Sequence, residues 1–311
     1  MNFWVTYPLI SHPYHPEFVT KAGLTEFCRA AEAAGFSGIG FTDHPVPTDR
    51  WLQAGGHDAL DPFVALSFCA AATDRIRLIP NILVLPYRNP FLVAKSVATL
   101  DALSGGRFTL SVATGYLRGE YAALGVDFDQ RNALFDDAIE AILGIWGDDD
   151  YAHQGLTYTA KGQSANPKPD PIPPIWVGGN SRMSRRRVAR YGNGWNPFPA
   201  PRVLAQTAKT RPLETLDDLR PMLDELWQFV DEAGRDRTTI DVSFGTGAGG
   251  DPGSDAFNAD AHLAAVEELA LLGITWCGAG VPGDSLAHAV ESLQRFGESV
   301  IGRASVRAEG R

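Results

Sequence analysis

A histidine directly after a short apolar segment is the first residue in this sequence with the chemistry of a catalyst. His44 stands in the segment Asp43-His44-Pro45, which follows the apolar run at residues 38–42. Imidazole is the side chain best suited to transfer a proton near neutral pH or to donate to a polarised ligand atom. A loop histidine without a function is the alternative, and spacing alone does not separate the two. We take His44 as the candidate catalytic residue.

A second candidate site consists of four consecutive residues, Gly178, Gly179, Asn180 and Ser181. They follow a short apolar run and precede a segment with helical spacing. Free N–H groups at the start of a helix, aided by the helix dipole, bind phosphate. Glycines remove side chains that would obstruct the approach. Gly-Gly also forms ordinary turns, so the pattern favours a phosphate site without deciding it.

A third segment, Thr114-Gly115-Tyr116, follows another apolar run. Glycine at the end of a strand allows a ligand to approach the backbone closely. These three residues are therefore expected to line a binding site.

An arginine-rich segment follows the glycine pair. Arg182, Arg186 and Arg190 have the i, i+4, i+8 spacing that places side chains on one face of a helix. The chain carries a net charge of −10, so this cluster could attract an anionic part of a ligand. A solvated helix face is the alternative interpretation.

The elements that must position these residues alternate between strand-like and helix-like patterns. Eight apolar runs predict strands, at residues 3–7, 38–42, 76–84, 108–113, 175–177, 194–196, 240–244 and 274–277. Helical spacing or a long loop follows each of them, and Asp61-Pro62 and Asn89-Pro90 are typical helix starts. Alternating strands and helices predict a parallel sheet with helical crossovers.

Eight such units predict an α/β fold of the (β/α)8 TIM-barrel type. A doubly wound sheet is the alternative, weakened because no G-x-G-x-x-G follows the first strand. No linker is long or polar enough to divide the chain. We therefore expect one domain over residues 1–311, with insert loops near 147–173, 197–212 and 247–260.

Composition excludes several classes of protein. Apolar residues make up 44% of the chain, which is ordinary for a globular protein. The acidic balance argues against nucleic acid or an anionic membrane as the partner, and no stretch approaches 18 uncharged apolar residues. The first sixteen residues lack the features of a signal peptide.

The cysteines and the remaining histidines carry little chemistry. Cys28, Cys69 and Cys277 are far apart, which predicts reduced, buried thiols in a cytoplasmic protein. No metal-ligand cluster is visible. We expect structural or loop roles for the other histidines, which are His12, His15, His57, His153, His262 and His288.

Two blocks of the sequence carry a family resemblance. Residues 76–125 read IRLIPNILVLPYRNPFLVAKSVATLDALSGGRFTLSVATGYLRGEYAALG, and residues 173–195 read PPIWVGGNSRMSRRRVARYGNGW. Both resemble the luciferase-like monooxygenase superfamily. Asp43-His44 is similar to the Asp-His pair of the superfamily members assigned to the deazaflavin coenzyme F420, whereas members that use flavin mononucleotide (FMN) often show Glu-His-His.

The resemblance implies roles for these residues. The cofactor ring would lie in the mouth of the barrel, with His44 beside it as proton donor or substrate anchor and Asp43 among the cofactor-contacting residues. Asn81 and Ile82 would form a bulge under the ring, often with a non-prolyl cis peptide. The cofactor side chain would contact Thr114, Gly115 and Tyr116, and its phosphate would be held by Gly178, Gly179, Asn180 and Ser181.

Three functions follow as hypotheses. The first is an F420-dependent oxidoreductase that moves a hydride to or from a small organic substrate, with the Arg182–Arg190 face meeting the oligoglutamate tail of the coenzyme. The second is an FMN-dependent two-component monooxygenase, which needs a partner flavin reductase. The third is a flavin-binding protein without turnover. The resemblance also implies a homodimer.

Overall fold

Parallel strands alternate with helices along the chain, and the computed structural model describes residues 1–207 and 210–304. The strands are β1 (Asn2–Thr6), β2 (Gly38–Phe41), β3 (Arg77–Pro80), β4 (Leu83–Val84), β5 (Leu110–Ala113), β6 (Tyr151–Gln154), β7 (Thr159–Gln163), β8 (Ile175–Gly178), β9 (Gly194–Asn196), β10 (Asp241–Val242) and β11 (Trp276–Ala279). The helices are α1 (Lys21–Ala33), α2 (Asp49–Gln53), α3 (Pro62–Ala72), α4 (Pro90–Ser104), α5 (Arg118–Ala123), α6 (Arg131–Gly147), α7 (Arg182–Tyr191), α8 (Arg202–Thr207), α9 (Leu216–Glu232), α10 (Ala259–Leu271) and α11 (Leu286–Phe296).

The strands form two parallel arrays that hydrogen bonds join into a ring. One array has the order β11-β1-β2-β3, and the other has the order β10-β9-β8-β5-β4. The N–H of Thr109 donates to the carbonyl of Leu78 at 3.0 Å, which links β3 to the segment that enters β5. The N–H of Thr275 donates to the carbonyl of Val242 at 2.9 Å, which links β10 to β11. With β3 and β4 as one interrupted strand, eight parallel strands close, and the predicted TIM-barrel fold is confirmed.

Local sequence explains where two of the barrel helices begin and where one of them ends. The Asp61 side chain accepts hydrogen bonds from the N–H groups of Phe63 and Val64 in α3, and the Asn89 side chain accepts one from the N–H of Phe91 in α4. In both cases proline follows as the first helical residue, where its missing N–H costs nothing. Gly105, in the left-handed conformation with φ 70°, ends α4. Both predicted helix starts are therefore confirmed.

The structure differs from the predicted elements in the insert loops. The 147–173 insert was expected to be a loop but contains the antiparallel hairpin β6–β7. Its strands are short and polar, so they lack the apolar alternation that marks a strand. The 197–212 insert contains α8, and its residues 208–209 lie outside the described part of the chain. The 247–260 insert is irregular, as predicted, until α10 begins at Ala259.

Aromatic side chains fill the inside of the barrel. Trp4, Trp176, Trp276 and Ile79 form a buried cluster separate from the main hydrophobic core. A Cβ on Gly194 would lie 2.2 Å from Cδ1 of Trp176, so the glycine makes room for the indole of the neighbouring strand. Because the interior is filled, the C-terminal ends of the strands are the place for a site, as in other TIM barrels.

Two further expectations concern the surface and the thiols. Within the described part of the chain, no helix is both long and apolar enough to cross a membrane. Cys28, Cys69 and Cys277 are free and buried, as predicted.

Candidate active site

His44 lies just beyond the C-terminal end of β2 and is paired with a carboxylate. Its Nδ1 is 3.3 Å from Oε2 of Glu120, and the two side chains are only 10% and 1% exposed. Since a carboxylate accepts, Nδ1–H donates, and the second ring nitrogen, Nε2, is left without a partner among the described residues. A carboxylate that orients an imidazole in this way prepares the other nitrogen for proton transfer.

Glu120 is itself held by two further donors. The backbone N–H of Val46 donates to Oε1 at 3.3 Å, and the Tyr87 hydroxyl donates to Oε2 at 2.9 Å. Burial and the neighbouring Glu120 raise the pKa of Tyr87, which therefore stays a neutral donor. Glu120 was not among the predicted site residues, although it lies on α5 inside the first block that carries the family resemblance.

Aromatic rings surround the His44 imidazole. The ring centroid of Trp51 is 4.6 Å away, that of His57 is 5.0 Å away in an edge-on arrangement, and that of Tyr116 is 6.1 Å away. The sequence predicted a structural or loop role for His57, and the structure places its ring against His44. The chain between β2 and α3 folds back over the barrel mouth, and no local pattern marks that return.

His57 and Tyr116 stay neutral near pH 7. The Nδ1–H of His57 donates to the Asp58 carbonyl at 2.9 Å. Burial lowers the pKa of His57, and the nearby His44 lowers it further. Burial, with a contribution from Glu120, raises the pKa of Tyr116 to about 12. Two of the aromatic neighbours of His44 are therefore uncharged.

Asp43 is engaged by the protein itself. Its carboxylate accepts two hydrogen bonds from the Arg88 guanidinium, at 2.7 and 2.8 Å, and one from the N–H of Val84 at 2.8 Å. These bonds tie the end of β2 to the loop after β4, so Arg88 has a structural role. The contact of Asp43 with a cofactor stays a prediction.

Asn81 and Ile82 form the bulge that the resemblance implies. The peptide bond between them is cis. Asn81 donates through its backbone N–H to Phe41 at 2.7 Å and through Nδ2 to the Thr6 hydroxyl at 3.2 Å. A Cβ on Gly178 would lie 2.3 Å from Cδ1 of Ile82, so the Ile82 side chain occupies the space that Gly178 leaves open. The fold thus brings two of the predicted segments into contact.

Residues 114–116 lie at the end of β5. Gly115 has φ 65°, and a Cβ there would come within 2.5 Å of Cγ1 of Val84, so glycine is required on both counts. The carbonyl of Thr114 accepts a hydrogen bond from the Tyr121 hydroxyl. Tyr116 lies near His44, as described above, so this segment borders the site.

Two residues of the predicted phosphate segment, Asn180 and Ser181, have different structural roles. Asn180 is fully buried, and its side chain makes three hydrogen bonds, to the backbone of Phe198 and to the carbonyl of Arg211. Ser181 caps α7 by accepting from the N–H of Ser184 at 3.1 Å. Asn180 therefore anchors the following loop, and Ser181 starts the helix.

The first turn of α7 offers free donors. The backbone N–H groups of Arg182 and Met183 have no acceptor among the described residues, as expected at a helix start. Gly179, with φ 98°, precedes them without a side chain. This donor set fits the phosphate of a flavin-type cofactor. The described residues contain no group of three or more His, Cys, Asp or Glu side chains that could hold a metal.

Arg182, Arg186 and Arg190, the three arginines of the predicted face, are all exposed, whereas two other arginines of α7 are not. Arg185 and Arg187 are buried and pair with Glu225 and Asp136. Arg182 also reaches Glu225, at 2.9 Å. These pairs fasten α7 to α9 and α6.

The remaining exposed arginines lie further along α7. The guanidinium of Arg186 lies 5.2 Å from the ring centroid of Phe229 on α9. Arg190 is in the last turn of the helix. Arg182 is thus the member of the cluster nearest to the free N–H groups.

A TIM barrel with a buried histidine–carboxylate pair and a glycine-lined mouth is the class of protein that the structure defines. The family model described as luciferase-like monooxygenase matches residues 3–270. The chain therefore belongs to the luciferase-like monooxygenase family.

Curated relatives of two kinds are similar to this chain. The FMNH(2)-dependent dimethylsulfone monooxygenase of Pseudomonas fluorescens (strain Pf0-1) is 33% identical over 54% of this chain and 45% of that protein. The F420-dependent glucose-6-phosphate dehydrogenase of Beutenbergia cavernae is 33% identical over 70% of this chain and 61% of that protein. The chain thus spans about half the length of the curated relatives it matches.

Solved structures share the fold. The monooxygenase RslO1 from Streptomyces bottropensis has a TM-score of 0.79 at 18% identity, covering 98% of this chain and 100% of that one. An F420-dependent secondary alcohol dehydrogenase has a TM-score of 0.73 at 15% identity, covering 96% of this chain and 98% of that one. At these identities the similarity concerns the fold alone.

Proposed function

We propose that the protein is an F420-dependent oxidoreductase that transfers a hydride to or from a small organic substrate. The observation that carries the proposal is the His44–Glu120 pair, because hydride transfer between an alcohol and a carbonyl requires a matching proton transfer. The similarity to the F420-dependent glucose-6-phosphate dehydrogenase covers the larger share of this chain and supports the choice of coenzyme.

The coenzyme, when bound, supplies the hydride chemistry, and the protein supplies position and the proton. Nε2 of His44 accepts the proton of a substrate hydroxyl in one direction and returns it to a carbonyl oxygen in the other. Glu120 keeps the proton of the imidazole on Nδ1 and stabilises the imidazolium that forms. Trp51 and His57 pack against the imidazole ring of His44 and limit the entry of water.

We propose that the remaining predicted residues hold the cofactor. Asn81 and Ile82 form the bed under the ring, and Thr114, Gly115 and Tyr116 border its side chain. The phosphate lies at the free N–H groups that follow Gly178, Gly179, Asn180 and Ser181. Arg182 is placed to meet an anionic tail that leaves this end of α7.

The test compares binding of the purified protein to coenzyme F420 and to FMN by parallel fluorescence titration. We expect tight binding to F420 and weak binding to FMN. In the F420 complex, His44→Ala is expected to keep the cofactor affinity and to lower kcat by about 10²- to 10⁴-fold, the usual contribution of general acid–base catalysis. Binding to FMN alone would overturn the proposal, and binding without turnover across a substrate screen would favour a non-catalytic flavin-binding protein.

The similarity to the dimethylsulfone monooxygenase favours a second candidate, a two-component monooxygenase that uses reduced FMN. Such an enzyme consumes oxygen and depends on a partner flavin reductase. Oxygen uptake with reduced FMN, absent with reduced F420, would distinguish it from the first candidate.

We also propose a homodimer in the cytoplasm. The outer faces of α3 and α4 expose apolar side chains, with Val64 59%, Phe68 45%, Leu92 70% and Leu103 80% exposed. Exposed apolar side chains on two packed helices favour an interaction site there, and symmetric dimers are the commonest assembly.

A further inference from the structure

We propose that Asn196 is a substrate-binding residue that recognises a second, neutral hydrogen-bonding group of the substrate. The inference rests on the proposed function, because it concerns the substrate of the same site. Asn196 is the last residue of β9 and is only 5% exposed. Its backbone carbonyl accepts from Gly179 at 3.2 Å, but its side-chain amide has no hydrogen-bond partner among the residues that the structure describes.

The alternation of side chains along β9 determines where the amide of Asn196 points. Gly194 faces the barrel interior, since a Cβ there would lie 2.2 Å from Trp176. Trp195 belongs to the main core outside the barrel. Successive residues of a strand point to opposite faces, so Asn196 points inward again. Because it ends the strand, its amide lies at the mouth.

The other site asparagines are satisfied, which sets Asn196 apart. The amide of Asn180 makes three hydrogen bonds, and that of Asn81 donates to Thr6. The amide atoms of Asn196 are not sealed from solvent, so a ligand in the mouth can reach them and complete their hydrogen bonds. The described residues make no hydrogen bond with the side chain of Asn196, so an apolar residue of the same shape would support the fold equally well.

The order of the strands places Asn196 across the mouth from His44. Around the closed ring, β9 is four strands from β2 in either direction. Gly178, the partner of Asn196 on β8, has no side chain, and Ile82 lies over it. A substrate whose reacting group is at His44 can therefore extend over Ile82 towards Asn196.

The chemistry of the amide defines the class of substrate. A carboxamide both donates and accepts and carries no charge, which matches a hydroxyl or a carbonyl. A carboxylate or a phosphate is instead held by arginine or lysine. The substrate is therefore a small alcohol or carbonyl compound with a second hydroxyl or carbonyl group.

The experiment compares cyclohexanol with cyclohexane-1,4-diol, which differ by one hydroxyl. Their affinities for the F420-bound protein and for the cofactor-free protein are measured by ligand-observed NMR titration. We expect the wild type to prefer the diol by about two- to tenfold, the value of one hydrogen bond. Asn196→Leu is expected to bind both equally, and Asn196→Gln to restore part of the preference.

Stability and cofactor affinity provide readouts independent of turnover. Asn196→Leu is expected to leave the melting temperature unchanged or higher and the F420 affinity unchanged, because no hydrogen bond is lost. The matched control, Asn180→Leu, removes three hydrogen bonds and is expected to lower the melting temperature by several degrees.

Each contrary result has a distinct meaning. Equal binding of the two compounds by the wild type, or binding of neither, overturns the role of Asn196. A loss of F420 affinity in Asn196→Leu with an unchanged diol preference assigns the amide to the cofactor and also overturns it. Failure of the proposed function shows separately, as a wild type that does not bind F420, and the comparison on cofactor-free protein then still decides the role of Asn196.

Discussion

At the scale of single residues, the site depends on a pair that no local pattern joins. His44 and Glu120 are 76 positions apart and meet because α5 returns to the loop after β2. Val46 and Tyr87 donate to the same carboxylate and hold it beside the imidazole. A fixed carboxylate determines which ring nitrogen carries the proton, and that determines which nitrogen faces a reactant.

Glu120→Gln tests this pairing. The amide keeps the shape and one acceptor but removes the charge that stabilises the imidazolium, so kcat is expected to fall by about 10²-fold or more with little change in cofactor affinity. The measurement is kcat against pH for the wild type and the variant.

Tyr87→Phe is the matched control for Glu120→Gln. It removes one donor to the carboxylate and leaves His44 paired, so its effect on kcat should be less than about tenfold. A Glu120→Gln enzyme with the wild-type rate and pH profile would show that the pair is structural.

At the scale of elements, the long loop between β10 and α10 is held by the helices that follow it. His262 on α10 donates through Nδ1 to the Ala248 carbonyl at 3.0 Å and is 3% exposed. Its Nε2 is buried without a partner among the described residues. His288 on α11 lies 3.0 Å from the Gly253 carbonyl through Nε2. Two histidines therefore hold the loop in place through its backbone carbonyls.

Stability is expected to fall on acidification because of His262. Burial lowers the pKa of His262 below the ordinary value of 6.5, so the unfolded chain binds the proton more readily than the folded one. The contribution is present above the ordinary pKa and is lost as the pH falls towards the folded-state pKa. The measurement is the melting temperature between pH 5 and pH 8, where we expect a decrease of a few degrees at the acidic end.

His262→Gln keeps a donor for Ala248 and cannot titrate. Its melting temperature is expected to depend less on pH than that of the wild type over the same interval. Identical slopes for the two proteins would locate the acid sensitivity elsewhere.

At the scale of the whole molecule, closure of the barrel brings distant segments together, and two of its outer helices expose apolar side chains. The ring of strands gathers the ends of β2, β4, β5, β8 and β9 at one mouth. On the outside, α3 contains no charged residue, yet Val64 and Phe68 are exposed. An apolar helix at a surface is expected to pack against a partner.

Val64→Lys combined with Phe68→Glu is expected to convert a dimer into a monomer. The mass in solution, measured by sedimentation equilibrium, should change from that of two chains to that of one. Leu271→Glu is the control, since Leu271 is 85% exposed on α10 and should tolerate a charge without effect on assembly. A wild type that sediments as a monomer, or a double variant that remains dimeric, would contradict the proposed interface.

The sequence by itself determined the alternation of strands and helices, the caps at Asp61 and Asn89, and the glycine segments at the mouth. These features are local, because a cap or a left-handed glycine depends on residues within a few positions. The family blocks added the bulge at Asn81 and Ile82, which the structure contains.

Only the tertiary structure decided which side chains meet in the site. Glu120 lies on a six-residue helix without a sequence signal, and His57 lies in an irregular segment. The amide of Asn196 is seen to be free only when its surroundings are compared with those of Asn180, whose amide is hydrogen-bonded. Such contacts join residues far apart in the chain. They depend on closure of the ring of strands, which short-range spacing does not encode.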